Sequence, residues 1–164
     1  MRKWKLSVII VSGVLMFLLA LSYNSIVSQR NNIMRFYNDS GIKSILIEQC
    51  KISKMFIGLS EAEESIADKI TMLCNQLEQS GLSEEQTQLF MQLNDVVYEA
   101  FYYGLTNKTS TLSIEILKST YAEFDFQREV IIHNSYQDYA RNYNQKIAAF
   151  PFCLYGLAKL PVFE

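Results

Sequence analysis

The side chains able to do acid–base, nucleophilic or metal chemistry are few and scattered in this chain. There is one histidine, His133, and Glu129 precedes it by one helical turn, so the two could face a single ligand. A carboxylate-bridged di-metal bundle needs several Glu and two Glu-x-x-His motifs, and no Glu-x-x-His occurs. The spacing therefore predicts a surface or capping histidine. Glu61, Glu63, Glu64 and Asp68 cluster at the expected start of a helix, where negative charge suits the helix dipole. A solvated face is expected there, since no loop supplies the alternating oxygens of a Ca²⁺ site. Cys50, Cys74 and Cys153 are odd in number and far apart, matching neither a zinc spacing nor a disulfide framework. They read as buried, inert thiols. The glycines are too widely spaced for a nucleotide loop, and no serine has a partnered base. No catalytic, cofactor or metal site is expected.

The elements that carry these residues are helices. The chain has 164 residues, 49% apolar and 20% charged, with 6 Gly and 2 Pro. That composition fits one domain and excludes collagen-like, disordered and disulfide-framework classes. Residues 6–23, LSVIIVSGVLMFLLALSY, carry no charge and would cover about 27 Å as a helix, enough for a hydrocarbon core. Arg2, Lys3 and Lys5 precede the run and Trp4 stands at an interface position, which predicts a membrane anchor with its N-terminus in the cytoplasm. A cleaved secretory signal with Ala20-Leu21-Ser22 as its processing site is the alternative. Beyond the run, 12 basic side chains face 17 acidic ones, a net charge of −5. Such a surface repels phosphate backbones and argues against nucleic acid as a partner.

After the anchor, helical stripes and turn signals alternate. Gly58, Gly81 and Gly104 each follow an apolar run and read as helix C-termini. Ser60-Glu61-Ala62-Glu63 and Ser83-Glu84-Glu85-Gln86 read as capping boxes. Ile66, Ile70, Leu73 and Leu77 form one stripe, and Leu89, Leu93, Val96, Ala100 and Tyr103 form another. Residues 24–57 form a first helix that Gly41 interrupts, as a kink or a close contact. The last runs from about residue 113 to Phe150, where Pro151 stops it. The expected fold is all-α: an N-terminal transmembrane helix (1–23), an antiparallel up-and-down four-helix bundle with long first and last helices (24–150), and an apolar C-terminal tail (151–164).

Ten tyrosines are the compositional oddity. Tyr98, Tyr102 and Tyr103 surround one helix with Phe101, as a partner surface, interface anchors or plain packing. Other aromatic residues fall into a pattern. Tyr23-Asn24-Ser25-Ile26-Val27 follows the anchor, with Arg30 and Ile33 after it. Near the end, Tyr136 is followed by Tyr143-Asn144, Ile147, Phe150-Pro151 and a terminal Pro161-Val162-Phe163-Glu164. The chain resembles the LemA family, which has an N-terminal membrane segment, an early YN-x-L-V-xx-R and a late YN-xx-V-xx-YN-xx-I-xx-FP ending in PYFE. Gln137 stands where the first late motif has Asn, and Ala140 where it has Val. The family's RR-x-DLIPNLV stretch has only KSILIEQCKISKMF as a counterpart. The resemblance implies a membrane-anchored antiparallel bundle and no catalytic residues. It makes Tyr23, Asn24, Arg30, Tyr136, Tyr143, Asn144, Phe150 and Pro151 candidates for a shared structural or assembly role.

The function expected is that of a non-catalytic scaffold or docking module in the cell envelope, with the bundle outside the cytoplasm. The alternative is a secreted or membrane-tethered ligand-binding bundle of the sensory type. Helices 24–57 and 113–150 would outreach the two middle ones by roughly 20 Å, leaving a two-helix stalk next to the membrane. Its stripe of Ile26, Ile33, Tyr37, Tyr136, Tyr139, Tyr143, Ile147 and Phe150 is too apolar for two helices to cover. A second copy, another envelope protein or the tail folded back would have to cover it.

Overall fold

The structure is a computed structural model that describes residues 2–39, 41–107 and 110–163, with side chains from Val8 onward. The side chain of Trp4 and the turn residues Lys108 and Thr109 lie outside that range. Among the described residues six α-helices follow in order: α1 Arg2–Asp39, α2 Ile42–Ser60, α3 Glu64–Gln79, α4 Glu84–Asn107, α5 Thr111–Ile132 and α6 Ser135–Ala148. A short 3-10 helix, Phe152–Tyr155, and an extended tail complete the chain. The protein is an all-α bundle.

The expected long first helix is two helices. α1 continues without a break from the apolar run to Asp39, across the boundary drawn at residue 23. Its outer part is long and apolar enough to cross a membrane, and Ile9, Val11, Met16 and Phe17 touch little else in the chain. From Ile26 on, one stripe (Ile26, Ile33, Tyr37) is buried. Gly41 then ends the run in the left-handed region, φ 79°, which a glycine adopts without strain, and α2 starts after it. The long last helix is also divided. Asn134 stops α5 and caps α6, its side chain accepting the Tyr136 N–H at 2.9 Å. α1 and α6 pair antiparallel, with Gln29 beside Lys146, Phe36 beside Tyr139 and Tyr37 beside Tyr136. Carried forward, that register sets Gly41 level with His133 and Asn134. Both long arms are interrupted at one height, where the α3–α4 turn also lies, Tyr37 donating a hydrogen bond to Gln86 at 2.9 Å.

Beyond this joint, α2–α5 form the four-helix part. α2 is central, packing most extensively on α5 and also on α3 and α4. Ile42, Leu46, Cys50, Ser53, Phe56 and Ser60 keep one face of it buried at helical spacing. Three turn signals mean something other than expected. Gly58 lies inside α2, which ends only at Glu61 with φ 52°, and α3 is preceded by Glu63 without a side-chain cap. Ser60 is therefore the last, buried turn of α2 and no capping box. Gly104 lies inside α4, where a Cβ would stand 2.8 Å from Leu117 Cδ2 and 3.0 Å from Ser60 Cα. Its missing side chain lets α4 approach α2 and α5. Ser83 does cap α4, its Oγ accepting the Gln86 N–H at 3.3 Å.

Candidate functional site

The face of α6 that carries the late motif points into the chain. Tyr136-Gln137 and Tyr143-Asn144 are seven residues apart, so two helical turns return each pair to the same side. Both phenol rings are fully buried, and Tyr136 meets Tyr37 edge-on at 5.3 Å. The amides turn toward the tail and bind its main chain. Asn144 Nδ2 donates to the Leu160 carbonyl at 2.7 Å, and Asn144 Oδ1 accepts the Leu160 N–H at 2.8 Å. Gln137 Oε1 accepts the Phe163 N–H at 3.0 Å while its Nε2 donates to the Ile131 carbonyl at 2.8 Å. Between them the Tyr136 hydroxyl donates to the Pro161 carbonyl at 2.9 Å. Pro161 has no N–H, so its carbonyl is the one backbone group there that needs a partner.

These bonds set Leu160 and Phe163 into the core. Phe163 lies edge-on to Phe90 of α4 at 5.4 Å, with the Tyr136 ring at 6.5 Å. The tail thus fills the angle between α6 and α4. This corrects the picture of a bare two-helix stalk. Ile26, Ile33, Tyr37, Tyr136, Tyr143 and Ile147 are all buried within the chain itself.

The other candidates are dispersed. Arg30 faces the Tyr143 phenol. Burial pushes that phenol's pKa up, and the guanidinium offsets part of the push. The Tyr143 hydroxyl is buried with no hydrogen-bond partner among the described residues. Tyr23 and Asn24 are exposed and are not brought to Tyr143 and Asn144. Tyr23 instead meets Tyr155 of the 3-10 helix at 5.3 Å. Phe150 lies past the end of α6 and is 80% exposed, and Pro151, joined to it by a cis peptide, opens the 3-10 helix. What the stalk leaves open is a groove of about 330 Å³ between α1 and α6, formed by Gln29, Asn32, Ile33, Phe36 and Tyr139.

Residues with reactive side chains gather at one place that spacing alone did not disclose. Cys50 on α2 and Cys74 on α3 are buried against each other, each thiol 3.6–3.9 Å from the other's carbonyl oxygen. Cys153 is exposed and remote from them in the fold. His133 closes the C-terminus of α5, with Nδ1 3.3 Å from Glu129. Glu64 occupies the first turn of α3. Among the described residues, no three His, Cys, Asp or Glu side chains lie together. The arrangement that is built with care holds a strand of backbone, through two amides and one phenol. In comparisons with known proteins, no family model, no curated protein and no solved structure matches the chain.

Proposed function

We propose that the protein is a single-pass, membrane-anchored helical bundle that acts as a non-catalytic scaffold in the cell envelope. The carrying observation is the continuity of α1. Its charge-free outer part, from Val8 to Leu18, stands exposed, and its inner part is core of the bundle, with no break between them. A helix so arranged sets a folded domain at a fixed height above a bilayer. The greater charge density before the run favours a bundle outside the cytoplasm.

The LemA resemblance belongs to the same reading. The residues that carry it at the C-terminal end, Tyr136, Tyr143, Asn144 and the Pro161-Val162-Phe163 segment, are two sides of one contact. The motif then specifies how the membrane-proximal half closes and has no need of a ligand. The surface left for assembly is the Phe36–Tyr139 groove, for which a second copy of the chain is the simplest occupant. A photo-crosslinking residue in place of Tyr139, in the full chain in native membranes, should give a dimer-sized adduct, and one in place of exposed Lys118 should not. Equal yields from the two positions would refute the groove as an assembly surface. Release of the protein from membranes by alkaline carbonate would refute the anchor.

A further inference from the structure

The 3-10 helix Phe152–Tyr155 is fastened to α1 at an unexpected height. The Tyr155 hydroxyl donates to the Leu19 carbonyl at 2.7 Å, and the Tyr23 ring packs on the Tyr155 ring. Leu19 belongs to the charge-free run 6–23. With that run in the hydrocarbon, Leu19 lies four residues, or about 6 Å, inside its boundary. The Tyr155 end of the segment between α6 and the tail is therefore held at acyl-chain depth. It carries no charged residue between Lys146 and Lys159.

Its exposed side chains suit that depth. Phe150 is 80% and Leu154 66% exposed. The backbone suits it as well, since unpaired polar groups are costly in hydrocarbon. The Cys153 N–H donates to the Ala149 carbonyl and the Leu154 N–H to the Pro151 carbonyl, while Pro151 has no N–H to satisfy. The Tyr155 phenol is satisfied by Leu19. The first charge met on leaving the segment is Lys146, which bonds Gln29 at 2.9 Å and covers the Phe152 ring. Gln29 stands about 9 Å beyond Tyr23 on α1, at headgroup level.

The geometry points to a second membrane contact: Phe150 and Leu154 insert among the lipid acyl chains beside α1, so that the chain grips one leaflet with two elements. This rests on α1 spanning the bilayer. The occupant is lipid because the exposed pair extends the apolar surface of the spanning helix, from the level of Tyr155 toward its boundary.

The test uses the full chain in phosphatidylcholine–phosphatidylglycerol vesicles, with Trp4→Phe removing the sole tryptophan. Single tryptophans are then placed by Phe150→Trp, Leu154→Trp, Leu15→Trp within the span and Tyr98→Trp on the distal bundle. Fluorescence is quenched with lipids brominated near the headgroup or deep in the acyl chain. Leu15→Trp should be quenched by deep bromine. Phe150→Trp and Leu154→Trp should be quenched by shallow bromine several-fold more than Tyr98→Trp. Quenching of Leu15→Trp without quenching at 150 and 154 overturns the second contact and leaves the span standing. Shielding of 150 and 154 from both brominated lipid and aqueous acrylamide means that protein covers them, which also overturns it. An unquenched Leu15→Trp overturns the spanning helix itself, and the second contact with it.

Discussion

Replacing Asn144 with alanine should release the tail while the distal bundle stays folded. Ordering Leu160 to Phe163 costs about 4–8 kcal/mol of backbone entropy at 1–2 per residue. Burying Leu160 and Phe163 returns about 3–6 kcal/mol. Four hydrogen bonds to the tail add about 2–6 kcal/mol at 0.5–1.5 each. The docked tail is thus favoured by only about 2–3 kcal/mol on these central values. Asn144 supplies two of the four bonds, about 2 kcal/mol, and its loss brings docking close to balance. Amide hydrogen exchange of the detergent-solubilised full chain reads this directly. The Leu160 and Phe163 amides should lose about 30-fold protection, at 1.4 kcal/mol per factor of ten. Asn144→Asp should do at least as much damage, because it retains the acceptor but sets a carboxylate oxygen against the Leu160 carbonyl. Wild-type exchange at both amides in both variants would show that the amide clamp does not hold the tail.

Gly104→Ala should cost about 1–3 kcal/mol in denaturant unfolding, since its Cβ meets the Ser60 backbone at 3.0 Å, whereas Gly58→Ala has open space and should gain about 0.5–1 kcal/mol. Shifts of the same sign would contradict the close approach of α4 to α2. Ser83→Ala should cost about 0.5–2 kcal/mol through loss of the α4 cap, and Ser60→Ala should leave exchange in the first turn of α3 unchanged. Burial, with the Tyr37 phenol beside it, holds the Tyr136 hydroxyl neutral well above the usual phenol range. Above about pH 10 the unfolded chain loses this proton and the folded chain keeps it, so stability falls as pH rises. Tyr136→Phe should make that fall shallower in unfolding measured from pH 9 upward, and an unchanged slope would count against burial as the cause.

The parts of the fold legible in the sequence were those written in side-chain periodicity. The α3 stripe of Ile66, Ile70, Leu73 and Leu77 is buried as spaced, because a short amphipathic helix has one way to hide it. In α4, by contrast, burial runs through Val97 and Gly104, with Val96 and Tyr103 at its margin. The two serine boxes look alike, yet only Ser83 caps. Ser60 is drawn into α2 by its contact with Gly104, a tertiary fact with no local signature. The break at Asn134 carries no glycine or proline, and its signal was the modest one of Asn-Ser before a helix with Asp138 in its first turn. Tyr136, Tyr143 and Asn144 could be singled out, but their target could not, because they bind main chain, which every sequence presents. Cys50 and Cys74 meet through the antiparallel register of α2 and α3, which depends on where α2 ends.

The unbroken course of α1 has a mechanical consequence. Between Tyr23 and Asp39 the helix offers no joint, so, with the preceding run in a bilayer, about 24 Å of it would behave as a lever with its fulcrum at the membrane surface. Helices accommodate changes in bilayer thickness largely by tilting, and a tilt of about 20° carries the far end of such a lever roughly 8 Å sideways. The first place where that displacement can be absorbed is the level of Gly41 and Asn134, where both arms are interrupted. A thinner or thicker bilayer would therefore move the distal four helices as one body across the membrane plane, converting a property of the lipid into a change of reach.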